Sequence, residues 1–181
     1  MYQGNNPTAL ISQQLLLEAF TQLLNKKGFK DITISELCTQ SGVSRQTFYS
    51  LYKTKENLLL HHLQIISKET SSYKHGSEIT LIETCRNFSK FVIKRKKDLE
   101  IIIENDLMDI LKLLIYQETA TCRDSFITVD EDEAFLALEF MASGLAQLTK
   151  SYLINNKNPN EDELTQIAYK IMSGSIYRAI K

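Results

Sequence analysis

Between Thr33 and Tyr52 the chain carries two helix-start signals with a single glycine between them, and few folds accommodate that pattern. The first signal is Thr33-Ile34-Ser35-Glu36, in which a Thr hydroxyl and a Glu carboxylate can satisfy each other's backbone amides as a capping box, flanked by Ile32 and Leu37 as a staple. The second is Ser44, whose oxygen can cap the next helix, with Val43 and Phe48 as its staple. Gly42 stands between them and supplies a left-handed stop, so the intervening helix has room for only about two turns. Upstream, Leu16, Phe20, Leu23 and Leu24 share one helical face, which predicts a helix from Thr8 to Lys27, closed by a left-handed Gly28 with Phe29 folded back on Leu24.

Two short helices joined by a glycine turn, with the second presenting Ser-Arg-Gln-Thr outward, form a helix-turn-helix. Arg45 can then pair with guanine and Gln46 with adenine, each in bidentate fashion, while Ser44 and Thr47 can bond phosphate or either base. Thr54 caps a fourth helix whose start has amide donors suited to phosphate, with Lys53 and Lys55 adding positive charge and Tyr49 and Tyr52 adding hydroxyls. Thr33, at the start of the first short helix, completes the expected DNA-contacting set.

Composition agrees with an all-α chain. Only 2 prolines and 6 glycines interrupt 181 residues, and 43% of the residues are hydrophobic, enough for a sizeable core. Through His75 there are 8 basic residues against 5 acidic ones, and from Gly76 onward 13 against 17, so the excess positive charge lies where a polyanion would bind. No apolar run is long enough for a membrane span and the N-terminus has no signal-peptide pattern, so a cytoplasmic protein without membrane association is expected.

The three cysteines, Cys38, Cys85 and Cys122, are scattered and unpaired, which argues against a disulfide framework or a structural zinc site. The adjacent His61 and His62 fall on different sides of a helix and lack a metal-binding spacing. With no nucleophile beside a base, no glycine-rich phosphate loop and no ligand cluster, neither an enzyme nor a bound cofactor is expected.

The segment Ser71 to Ser77 breaks the helical pattern, which predicts a head over 1–53, a connecting helix over 54–75 and a second domain over 76–181. In the second domain, helices are expected at Ile79 to Lys97, Asp98 to Asn105, Leu107 to Cys122, Asp130 to Asn155 and Asn160 to Ile180. Small residues at Ala142, Gly144, Ala146, Ser173 and Gly174 would permit close helix approach and mark a candidate dimer seam.

The run ITISELCTQSGVSRQTFYSLYKTKENLL resembles the DNA-binding signature of the TetR family of bacterial transcriptional regulators, a resemblance covering about the first 60 residues. Tyr52 stands where that family most often has phenylalanine. FMASGLAQLTKSYLINN is similar to the family's penultimate helix, with Tyr152 where tryptophan is common. The resemblance implies an all-helical homodimer that binds double-stranded DNA, with a larger helical domain for a small-molecule effector and for dimerisation. A pocket of that kind would draw on Phe88, Phe91, Met108, Tyr116, Phe126, Phe135, Phe140 and Met141, which by composition alone read equally as plain core. A ligand-responsive repressor on a palindromic operator is therefore expected; the alternative is an activator or protein-interaction module without a small-molecule effector.

Overall fold

The computed structural model describes residues 4–70, 80–120 and 130–176, and among them every regular element is helical. The chain divides into two compact units, Met1–Ile65 and Ile66–Lys181. The predicted boundary segment 71–77, together with Cys122, Phe126 and the expected helix ends at Ile79 and Ile180, lies outside the described residues.

In the first unit, helix α1 spans Pro7–Leu24, with the Asn6 carboxamide accepting from Thr8 N–H at 2.9 Å and proline at the tolerated first position. It ends earlier than expected, at Asn25, in a right-handed conformation. Gly28 is not left-handed. Its φ of −63° and ψ of 151° are extended, and they lead into a single 3-10 turn, Phe29–Asp31. Phe29 is buried and meets Phe20, four residues further up α1 than expected, edge-on at 6.2 Å.

Helix α2 spans Ile34–Ser41 and stops at Gly42, whose φ of +69° is the left-handed value that a glycine adopts without a Cβ penalty. Thr33 caps it, its hydroxyl accepting from Glu36 N–H at 3.2 Å. The other half of the expected capping box is diverted, because the Glu36 carboxylate pairs with Lys27. Helix α3, Arg45–Leu51, starts from Ser44, whose hydroxyl accepts from Thr47 N–H at 3.1 Å. Helix α4, Lys55–Thr70, is capped by Thr54, which accepts from Asn57 N–H at 3.2 Å. α1 packs on α2 and α3, and Leu16, Phe20, Ile32, Leu37, Phe48, Tyr52, Leu58, Leu59 and Leu63 are fully buried.

The second unit contains α5 (Leu81–Lys94), α6 (Lys96–Glu104), α7 (Met108–Ala120), α8 (Glu131–Asn155) and α9 (Glu161–Met172). α5 opens on a complete capping box between Thr80 and Glu83, and the chain breaks at Arg95 rather than after Lys97. Asp130 caps α8 and Asn160 caps α9, each accepting from the amide three residues on. α5 packs against α9 and α7 against α8, while α6 touches α5, α7 and α8. Lys112 and Glu139 bridge α7 and α8 at 2.8 Å. The Tyr152 hydroxyl takes the Asn160 N–H at 3.0 Å and donates to Glu163 at 2.7 Å, fastening the end of α8 to the start of α9.

Candidate nucleic-acid interface

The turn at Gly42 aims α3, and Val43 and Phe48, both buried, hold its inner face against the core. The opposite face carries Arg45, Gln46 and Tyr49, all exposed, with Tyr49 51% accessible and braced by an edge-on contact to Phe48 at 5.7 Å. Tyr49 lies four residues after Arg45 and three after Gln46, so its side chain adjoins both on the helix surface. Gln46 makes no side-chain hydrogen bond among the described residues, which leaves its carboxamide available to a base edge. The Arg45 guanidinium donates to Ser35 Oγ on α2 and so does not swing freely. Ser35 is a residue that sequence periodicity missed, because the contact depends on how α2 crosses α3.

Ser44 is exposed and Thr47 half-buried, and their hydroxyls bond each other at 2.8 Å while Ser44 also caps the helix. These two groups first hold the recognition turn together. Thr33 is exposed with its oxygen engaged as an acceptor, which leaves its hydroxyl proton to donate. Lys53 is exposed at a φ of +65°, in the tight link between α3 and α4.

Two expected DNA contacts are corrected. Tyr52 is fully buried, its ring beside Phe48 at 5.9 Å and His61 at 5.7 Å, and its hydroxyl is bonded to His61 Nδ1 at 2.7 Å. Burial also pushes its phenol well above the usual tyrosine value. Lys55 is half-buried and its ammonium is turned inward onto the carbonyls of Phe29, Lys30 and Ile32, at 2.9, 3.2 and 3.1 Å. Both side chains are engaged by partners within the head.

In the second unit the expected pocket residues differ in burial, and Tyr116 meets Phe135 edge-on at 6.3 Å. Phe88, Phe91, Met108, Tyr116 and Met141 are half-buried, but Phe135 is 54% and Phe140 80% exposed, so those two do not line an interior cavity. The cause is helical phase. α8 buries Ala134, Leu138, Ala142, Leu145, Thr149 and Tyr152, and Phe140 stands about 200° round the helix from Leu138. The seam residues divide in the same way. Ala142 and Ala146 are buried within the unit and are unavailable to a partner, whereas Gly144, Ser173 and Gly174 are exposed.

Cys38 and Cys85 are buried free thiols, and loss of hydration raises both, Cys85 to about 11. His62 packs edge-on against Phe20 at 5.9 Å, and among the described residues no group of three or more metal-ligating side chains comes together. No described helix is long and apolar enough to cross a membrane.

A left-handed glycine turn, a capped second helix and an outward face of Arg, Gln and Tyr define a helix-turn-helix, an arrangement that places its second helix in the major groove in the DNA-binding proteins that use it. The sequence model described as "Bacterial regulatory proteins, tetR family" matches residues 16–61, the span from mid-α1 to the first half of α4. Over that segment the chain is similar to the tetR family of bacterial regulatory proteins.

Among curated relatives, it is 24% identical over 83 residues to the HTH-type dhaKLM operon transcriptional activator DhaS of Lactococcus lactis, an alignment covering 43% of this chain and 44% of that protein. In fold it is similar to Lin0861 from Listeria innocua, with a TM-score of 0.72, 18% identity, and coverage of 97% of this chain and 95% of the other. A TetR transcriptional regulator from Streptococcus agalactiae aligns with a TM-score of 0.55 at 18% identity, covering 91% and 94% of the two chains. The TetR family repressor AlkX from Dietzia sp. aligns at 0.52 and 17% identity, covering 90% and 95%.

Proposed function

We propose that this protein is a homodimeric, effector-responsive repressor of the cytoplasm that grips a palindromic operator with two copies of α3 in successive major grooves, about 34 Å apart. Arg45 and Gln46 read base edges, Tyr49, Lys53 and Thr33 contact the phosphate backbone, and Ser44 and Thr47 hold the reading turn in shape. One observation carries this reading: on α3, Arg45, Gln46 and Tyr49 are exposed together while Phe48 and Leu51 are buried.

Dimerisation is supported by the outer face of α8, where Leu136 (66% exposed), Phe140 (80%) and Ile154 (60%) follow one stripe with exposed Gly144 in its middle. A two-fold contact between two such stripes would remove the apolar surface from water and let the backbones approach at Gly144. Effector control would follow if a ligand bound one spacing of the two reading heads in preference to the other, since only differential affinity shifts such an equilibrium.

The second reading is an activator that responds to a protein rather than to a small molecule. It is favoured by the outward-facing Phe135 and Phe140 and by the activator role named for DhaS, the curated relative. Selection of bound sites from random duplex DNA tests the core of both. Enrichment of an inverted repeat is the expected outcome, and no enrichment at low salt would remove the DNA-reading role altogether. Placing the selected site within a reporter promoter then separates repression from activation.

A further inference from the structure

A lysine in the first turn of a helix that follows a recognition helix is well placed for a phosphate. Lys55 is turned the other way. Its three N–H groups are matched by three carbonyls, those of Phe29, Lys30 and Ile32 at 2.9, 3.2 and 3.1 Å, and its nitrogen lies 4.5 Å from the centre of the Phe29 ring. Those carbonyls form the 3-10 turn and the exit from it, immediately before Thr33 caps α2. Phe29 in turn meets Phe20 of α1.

α4 also holds the far end of the helix-turn-helix. The Asn57 carboxamide donates to the Tyr52 carbonyl at 2.7 Å, and His61 bonds the Tyr52 hydroxyl at 2.7 Å, both at the close of α3. One helix therefore fastens the entry of the reading motif through Lys55 and its exit through Tyr52.

We propose that Lys55 is a positioning residue of the DNA-reading head: by binding the carbonyls of Phe29, Lys30 and Ile32 its ammonium sets the placement of α2, and through α2 that of α3, without touching the phosphate backbone. The proposal rests on the DNA-binding reading given above. Its chemistry sets it apart from a phosphate contact, because an ammonium with three carbonyl acceptors has no donor left over. Arginine keeps the charge but spreads its donors over a planar fork, so it cannot direct three N–H groups from one nitrogen. Lys55→Arg therefore preserves a phosphate contact and breaks the carbonyl knot.

The test compares wild type, Lys55→Arg and Lys55→Met on a duplex selected by the wild-type protein from random DNA and on an unselected duplex of equal length. Both are titrated over a series of KCl concentrations, at a temperature where circular dichroism shows each protein fully folded. If Lys55→Met does not fold, Lys55→Arg carries the comparison. The expected result is that the ratio of selected to unselected affinity falls about tenfold or more in both variants, the scale of one lost base contact, with the salt slope unchanged.

Two results would overturn the proposal. One is a slope lowered by about 0.9 in Lys55→Met with Lys55→Arg behaving as wild type, which is the signature of a phosphate contact. The other is an unchanged ratio and slope with only a lower melting temperature, which is a purely structural role. A measurement without DNA separates the layers: the side-chain nitrogen signal of Lys55 in the free, isotopically labelled protein should be protected from hydrogen exchange and absent in Lys55→Arg. Rapid exchange of that signal refutes the knot itself. If the signal is protected and wild type ignores every duplex, the DNA-binding reading fails and the positioning role fails with it.

Discussion

Replacing Phe140 by alanine removes a ring that is 80% exposed on α8 and buries almost nothing within its own unit. In an isolated chain the substitution should therefore leave folding stability nearly unchanged. In a dimer joined along this stripe the outcome differs. Full burial of a Phe side chain stabilises by about 1.5–3 kcal/mol, and two-fold symmetry counts each substitution twice. With four-fifths of the ring newly covered, the loss comes to roughly 2.5–5 kcal/mol per dimer, or about two to three and a half orders of magnitude in the dimer dissociation constant. Sedimentation equilibrium over a wide range of protein concentration, paired with urea unfolding under conditions where both proteins are monomeric, measures the two effects separately. Equal dissociation constants for wild type and Phe140→Ala would refute the assignment of this face. So would a loss of monomer stability on the scale of a core phenylalanine, because the ring would then be packed inside.

Gly42→Ala should destabilise by about 1–2 kcal/mol, since the left-handed φ of +69° is costly for alanine. No atom lies within 4 Å of the added Cβ, so Gly42→Asn should recover part of the loss, and a neutral alanine in urea unfolding would contradict the turn geometry. Ser89 is fully buried on α5 with its hydroxyl unpartnered among the described residues, so Ser89→Ala should raise stability by about 1 kcal/mol, and a lower urea midpoint would reveal a hydrogen bond there. The Lys27 side chain bonded to Glu36 holds that carboxyl below its usual value. A depressed carboxylate contributes stability that is present above its unfolded pKa and lost as pH falls through the folded value. The gap in melting temperature between wild type and Glu36→Gln should therefore be open at neutral pH and close on acidification, and a gap independent of pH would rule out the ion pair.

Local chemistry was legible, and long-range placement was not. Thr33, Gly42 and Ser44 act through their own neighbours within one turn, so the helix-turn-helix could be read from their order alone. Gly28 failed as a left-handed cap because α1 had already closed at Asn25 and the chain needed an extended residue to enter the 3-10 turn. Glu36 makes only half of its box because a lysine nine residues earlier competes for the carboxylate. A tyrosine suits water or core, and a lysine turns inward only where carbonyls meet its ammonium, so the fold of α4 decides what Tyr52 and Lys55 meet. Ala142 and Ala146 are buried, but small size does not reveal whether the neighbour belongs to the same chain or to another.

If Arg45 reads a base edge as proposed, its lean on Ser35 ties the choice of binding site to a residue that need never meet the nucleic acid. A guanidinium already restrained by its own protein has less freedom to surrender when it docks, so α2 would lend α3 part of that selectivity in advance. Drift at Ser35 would then retune which promoters are recognised while every base-facing side chain stayed the same.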